Sequence, residues 1–153
     1  MIARIVLTAF LIVLAGTATA HQKRVGGIEV IQSWARASAG AGKTGAVYLT
    51  LLNRGRDADR LVAVATPVAR KAAIHETVTE GGVMKMRPLD ALPLPAHQSV
   101  KLAPGGVHVM LMGLAAPLEE GGRFPLTLRF ARAEPVTVDV VVRGPGAMSA
   151  GGD

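Results

Sequence analysis

The chain has 153 residues, a formal charge of +6 and no cysteine. This length supports one domain with a sizeable core but not two, and the core cannot be reinforced by disulfide bonds. The basic residues are scattered, without a cluster or interleaved aromatic residues, so the composition argues against a nucleic-acid-binding protein.

The first twenty residues, MIARIVLTAFLIVLAGTATA, have the pattern of a secretory signal peptide. A positive charge precedes an apolar run, and the small residues Ala18 and Ala20 stand at the −3 and −1 positions of a cleavage site. The apolar run is too short to span a bilayer comfortably, which makes a retained membrane anchor the less favoured alternative. Cleavage after Ala20 would leave an exported protein that begins at His21 and has no membrane span.

The rest of the chain has the pattern of β-structure throughout. Nine segments alternate or are rich in β-branched residues, glycine-rich turns separate them, and none shows a sustained 3.6-residue apolar period. They are 28–36, 45–53, 60–66, 70–78, 83–87, 99–102, 106–113, 123–130 and 135–142. The proline-rich segment 88–98 is expected to be an extended loop, because proline cannot sit in a central strand. The pattern predicts a sandwich or barrel within residues 21–143 and a disordered tail at residues 144–153.

One predicted strand, GVHVMLMG, carries an unusual row of side chains. Because successive strand residues point to opposite faces, His108, Met110 and Met112 share one face of this strand. Met84 and Met86 likewise share one face of a second strand. One interpretation is that these methionines fill gaps in the core, as methionine commonly does. The alternative is a soft metal site.

The chemistry of these side chains favours copper. Thioether sulfur is a soft, uncharged ligand that selects Cu(I), and imidazole binds copper generally. Zinc gains little from thioethers, and a blue-copper redox site would need a cysteine thiolate. Alternate strand residues lie about 6.6 Å apart at Cα, a gap that a methionine side chain can close. His108 and Met110 therefore form a candidate two-ligand clamp, to be completed from a neighbouring strand.

The residues around this clamp resemble the periplasmic copper chaperones called PCu(A)C. Their signature is a histidine, ten residues, a methionine, twenty-one residues and then His-x-Met. His75, Met86, His108 and Met110 match every spacing. The flanking segments SWARAS, GAVYLTLLNRG, ADRLV, GVMKMRP, PGGVHVMLMGL and PLTLRF are also similar to the family, and the resemblance covers nearly all of the chain after residue 20.

The resemblance implies a cupredoxin-like Greek-key β-sandwich in the periplasm. It also implies a carrier rather than an enzyme, which takes Cu(I) to the binuclear copper centre of cytochrome c oxidase. The expected partners are the copper-accepting oxidase subunit or its assembly factors, and the protein is expected to be a monomer. The implied Cu(I) ligands are His75, Met86, His108 and Met110. Many members have a further methionine where this chain has Thr77, so that thioether is absent here.

Several residues outside the motif have secondary expectations. Met84, Met112 and His21 are candidate auxiliary ligands. After cleavage, the α-amine and imidazole of His21 would form a nitrogen chelate suited to weak Cu(II) binding. Trp34 and Tyr48 are expected to lie in the core, because few aromatic residues are available to fill a sandwich.

Two other functions remain as alternatives. The first is a copper-sequestering protein that buffers the metal without delivering it. The second is a structural β-sandwich whose methionine row is only packing. Titration with metal under reducing conditions separates them in part, because tight binding of one Cu(I) excludes the packing-only alternative.

Overall fold

The structure is a computed structural model that describes residues 23–38 and 43–151. The predicted signal peptide, its cleavage site and His21 lie outside these residues. Within them the chain forms eleven β-strands and no α-helix, which confirms the predicted all-β class. No helix in this part of the chain is long and apolar enough to cross a membrane.

Nine of the eleven strands coincide with the predicted segments to within two residues at each end. The three-residue strands β1 and β7 are not predicted, because three residues are too few to show an alternation. The strands are β1 (Lys23–Val25), β2 (Ile28–Arg36), β3 (Thr44–Asn53), β4 (Asp59–Ala65), β5 (Ala69–Glu80), β6 (Val83–Pro88), β7 (Leu92–Leu94), β8 (Ser99–Leu102), β9 (Val107–Leu114), β10 (Arg123–Phe130) and β11 (Val136–Arg143).

Strand β7 corrects the expectation that the proline-rich segment is only an extended loop. Leu92 and Leu94 are buried, and Pro93 between them is exposed. The segment pairs with β4 at one end of the sheet order and is not a central strand. A proline is tolerated there because an edge strand can lack one hydrogen-bond donor. The burial of the two leucines stabilises this short strand.

The strands pair in the order β6-β5-β9-β3-β2-β11-β10-β4-β7, with β1 attached to β2 and β8 attached to β3. The register of β2 against β3 shifts between Ile31 and Trp34, and Gln32 in this interval has a φ of 55°. A bulge of this kind bends a strand. It separates the part of β2 that pairs with β1 from the part that runs parallel to β11. Both parts of β2 contribute side chains to the main core, as the predicted sandwich requires.

The main core consists of alternate side chains from the long strands. Leu51, Leu126 and Val140 are 0 % exposed, as are Val109 and Leu111 of β9. The alternation predicted for β9 is therefore confirmed on its inward face. It leaves the histidine and methionines of the same strand on the opposite face.

The aromatic residues Trp34 and Tyr48 are buried, but they do not belong to the main core. They form a second apolar cluster with Ala147, and their ring centroids are 4.7 Å apart. Each alternates with a neighbour, Ala35 or Val47, that belongs to the main core. Their side chains must therefore project from the outer face of the sheet.

The C-terminal segment lies over these aromatic residues. Arg36 Nε donates a hydrogen bond of 2.7 Å to the Ala147 carbonyl oxygen, and its guanidinium carbon is 5.8 Å from the Tyr48 ring centroid. Ala147 is 8 % exposed. The predicted disorder of residues 144–153 stays a prediction, although Ala147 makes these contacts in the structure.

Candidate metal centre

The four residues of the His/Met motif project from one face of the sheet. His75 on β5 lies directly opposite His108 on β9, and Met86 on β6 lies opposite Thr77, two residues along β5 from His75. Met110 follows His108 by two residues on β9. Since alternate residues share a face, all four side chains lie on the side of the sheet away from the main core.

The two histidines form a cross-strand pair with ring centroids 6.2 Å apart. A metal–nitrogen bond of about 2.0 Å, with the size of the ring added, places a bound ion roughly 3.2 Å from each ring centroid. The observed separation of 6.2 Å does not exceed twice that distance, so the two rings are close enough to share one ion. Residues directly opposite on paired strands hold such a spacing without a loop or a bulge.

His108 is held in a defined orientation. The side chain is only 5 % exposed, and Nδ1 lies 3.1 Å from the Gly106 carbonyl oxygen. When Nδ1 donates its hydrogen to this carbonyl, Nε2 keeps a lone pair that can bind a metal ion. Histidines that bind metals commonly donate their other ring N–H to such a carbonyl, so His108 is a candidate ligand through Nε2.

Within the described part of the chain, His75 has an unpaired buried nitrogen and a lowered pKa. Its Nδ1 is buried and has no hydrogen-bond partner among the described residues, which is uncommon for a buried polar atom. Burial, and then the neighbouring charges of His108 and Lys71, lower the pKa of His75 below the ordinary value of 6.5. His75 is therefore neutral at pH 7, and the neutral form is the one that binds metal.

An open cleft of about 270 Å³ joins the predicted thioether ligands to His108, whereas His75 is not among the residues that line it. Met86, His108 and Met110 all line it, together with Arg36 and Tyr48. The Tyr48 ring centroid is 6.4 Å from that of His108, so Tyr48 forms part of the cleft wall beside this histidine. Sequence reasoning missed Arg36 and Tyr48 as cleft residues. Both lie in segments that resemble the family, but no spacing rule singles them out.

The exposure of the methionines bears on the packing-only interpretation. Met84 and Met86 are 68 % and 61 % exposed, so neither fills a gap in the core. Met110 and Met112 are partly buried on the outer face of β9. Met112 lies opposite Lys71 and is two residues farther from the histidines than Met110. The site therefore combines two histidines with one exposed and one partly buried thioether.

Comparison with known proteins identifies the family. Residues 28–142 match the family described as "Putative lipoprotein LpqE-like". The chain belongs to the LpqE-like family. One relative, "Putative lipoprotein Lxx21020" from Leifsonia xyli subsp. xyli (strain CTCB07), is 37 % identical over 137 residues, which cover 88 % of this chain and 81 % of the relative.

Solved structures extend this result to the fold of the LpqE-like chain. The copper-bound PCuAC domain from PmoF2 is similar with a TM-score of 0.71 and 30 % identity, over 82 % of this chain and 99 % of that domain. The solution structure of CuI-DR1885 from Deinococcus radiodurans is similar with a TM-score of 0.58 and 30 % identity, over 84 % and 85 % of the two chains. These similarities confirm the predicted PCu(A)C resemblance and its cupredoxin-like Greek-key β-sandwich.

Proposed function

We propose that this protein is an exported copper chaperone that binds one Cu(I) ion and passes it to an acceptor protein. The proposed ligands are His75, Met86, His108 and Met110. The observation that carries the proposal is the histidine pair directly opposed across β5 and β9, beside a cleft that both motif methionines line. Two neutral imidazoles and two thioethers are donors that suit a soft monovalent ion.

The oxidation state follows from the donors. Thioethers favour Cu(I) over Cu(II), and no thiolate is available to support a redox-active copper site. The name of the similar Deinococcus radiodurans structure specifies Cu(I), and that of the PmoF2 domain specifies bound copper. These observations support Cu(I) as the proposed cargo, and we propose that the protein holds and releases the ion without catalysing a reaction.

The open cleft supports a role in transfer. Met86 is 61 % exposed, so an incoming ligand from another protein can reach this side of the proposed site. Neutral ligands can be exchanged one at a time without leaving a buried charge behind. We propose delivery to the binuclear copper centre of cytochrome c oxidase, through the accepting subunit or an assembly factor. The family resemblance supports this acceptor.

Export is the setting in which this delivery takes place. The family description and the name of the Leifsonia relative both contain the word lipoprotein, which supports an exported protein. We propose that residues 1–20 are a cleaved signal peptide, that residues 21–143 form the copper-binding domain, and that the monomer functions in the periplasm. Binding of Cu(II) at His21 lies outside the described residues and stays a prediction.

Titration with Cu(I) tests the proposal directly. The protein beginning at His21 is titrated under reducing conditions against a coloured Cu(I) chelator, and one tightly bound ion is expected. The loaded protein is then mixed with the copper-free soluble domain of the oxidase subunit. Movement of copper to that domain supports delivery, whereas full retention supports the buffering alternative. Failure to bind Cu(I) would leave only the structural alternative.

The affinity for Cu(I) should depend on pH through His75. Protons compete with the metal for imidazole, and burial, then His108 and Lys71, lower the pKa of His75 below 6.5. An exposed imidazole is half protonated at about pH 6.5. Because the pKa of His75 is lower, protons should compete with Cu(I) for His75 only at a lower pH than for an exposed histidine. Competition titrations between about pH 8 and pH 5 measure this dependence.

The matched variant for this prediction is Lys71→Leu, which removes the charge without adding a thioether beside the site. Removing the lysine charge should raise the pKa of His75, so the loss of affinity should begin at a higher pH than in the unmodified protein. A fall in affinity that begins at the same pH in Lys71→Leu and in the unmodified protein would contradict the expected effect of the Lys71 charge on His75.

A further inference from the structure

The four proposed ligands differ widely in how far solvent can reach them. His108 is 5 % exposed, whereas Met86 is 61 % exposed. His75 and Met110 lie between these limits. Ligand exchange with another molecule has to begin at a donor that the incoming group can approach. The accessible side of the proposed site is therefore the side that β6 forms.

Met84 adds one more thioether to this accessible side. It precedes Met86 by two residues on β6, so the two side chains share a face, with their Cα atoms about 6.6 Å apart. Met84 lies opposite Thr79, one step nearer to the hairpin turn and farther from the histidines than Met86. It is 68 % exposed. Both methionine side chains are flexible enough to reach a common ion.

Ion pairs occupy the other side of the β5–β6 hairpin. Lys85 Nζ is 3.1 Å from a Glu80 carboxylate oxygen, and Arg87 Nη2 is 3.0 Å from a Glu76 carboxylate oxygen. Lys85 and Arg87 alternate with the methionines along β6, so their side chains leave the opposite face. The methionine face of the hairpin is thus lined by thioethers and threonines, and it offers only neutral donors to a metal ion.

We propose that Met84 is the exit ligand for Cu(I). The ion moves outward along β6 when a Cu–S bond to Met84 forms and one Cu–N bond to a histidine breaks. Copper stays Cu(I) throughout, the thioether is neutral, and the freed imidazole recovers its lone pair, so the exchange needs no oxidant, reductant or proton. The incoming acceptor then meets an ion held by the exposed pair Met84 and Met86. This inference rests on the proposed Cu(I) chaperone function.

A simpler role for Met84 would be an apolar contact with a partner protein. The two roles differ in what they require of the side chain. A contact needs only apolar surface, which leucine supplies equally well, whereas an exit ligand needs sulfur. The roles also differ in the acceptor, because a small chelator offers no protein surface to contact.

The experiment measures the rate of Cu(I) transfer to a small chelator. The protein beginning at His21 is loaded with one Cu(I) and mixed with excess bathocuproine disulfonate, and the coloured complex is followed by stopped-flow absorbance. Met84→Leu should transfer Cu(I) about tenfold more slowly, which corresponds to about 1.4 kcal/mol in the barrier. Its equilibrium affinity should stay within about twofold of the unmodified protein, because the resident ligands are intact. Met112→Leu, which removes a thioether from β9 and not from the accessible side, should slow the transfer much less than Met84→Leu does.

Three results would overturn the inference. Transfer from Met84→Leu at the unmodified rate would remove the exit role. A loss of equilibrium affinity as large as that of Met86→Leu would make Met84 a resident ligand instead. If the unmodified protein binds no Cu(I), the proposed function fails and this inference fails with it. Binding by the unmodified protein with an unchanged Met84→Leu rate overturns the inference alone.

Discussion

Replacing His108 with alanine should lower the affinity for Cu(I) by at least about 100-fold, because loss of an outer-shell partner alone commonly costs 10- to 100-fold. His108 is held in place by burial and by the contact between its Nδ1 and the Gly106 carbonyl oxygen. His108 also lies near each of the other proposed ligands. Its ring pairs with that of His75, and it lines the cleft together with Met86 and Met110. A competition titration with a Cu(I) chelator measures the loss.

Two methionines on the same strand provide a matched comparison for this prediction. Met110→Leu removes a proposed ligand with little change in volume, and Met112→Leu removes the next thioether on the same face. The first should weaken Cu(I) binding strongly, and the second should have a much smaller effect. Circular dichroism of each variant checks that the fold is retained. Equal losses at the two positions would show that the proposed sulfur ligand is the wrong one.

Most of the fold prediction came from the two-residue alternation of side chains along the strands. In β9 it separated core-facing Val109 and Leu111 from the histidine and methionines, and the structure agrees. The expectation that Trp34 and Tyr48 lie in the core came instead from the scarcity of aromatic residues, and both are buried by the C-terminal segment and not by the main core. That contact joins Arg36 to a carbonyl 111 positions away, and no local pattern encodes a pairing at this distance. An apolar residue on the outer face cannot be distinguished from a core residue until its covering segment is known.

The candidate site likewise depends on both the local sequence motif and the pairing of strands that are distant in the sequence. The spacing of the motif names the residues, but it does not reveal that His75 and His108 face each other. That fact depends on the register of β5 against β9, which the whole sheet sets. Nor does the sequence reveal that Met86 is largely exposed while His108 is buried. The resemblance to the family implied the proposed ligand set, and the register places His75 opposite His108 in a way that is compatible with it.

Replacing Leu111 with alanine should lower the free energy of unfolding by about 2–5 kcal/mol, which is the range for a leucine removed from a close-packed core. Leu111 lies on β9 between the two methionines, but it points to the other face and is 0 % exposed. The loss combines the lost burial of the side chain with the cavity that remains. Urea unfolding of the copper-free protein, followed by circular dichroism, measures it.

The strand offers its own control for this prediction. Met110→Leu nearly conserves volume, so it should change the unfolding free energy by less than about 1.5 kcal/mol while weakening Cu(I) binding. Leu111→Ala should do the reverse, and the fraction that stays folded should still bind one Cu(I). The two faces of β9 would then separate stability from metal binding. Loss of Cu(I) binding in Leu111→Ala, with its unfolding free energy unchanged, would contradict that separation, because the inward face would then be shaping the site rather than holding the core.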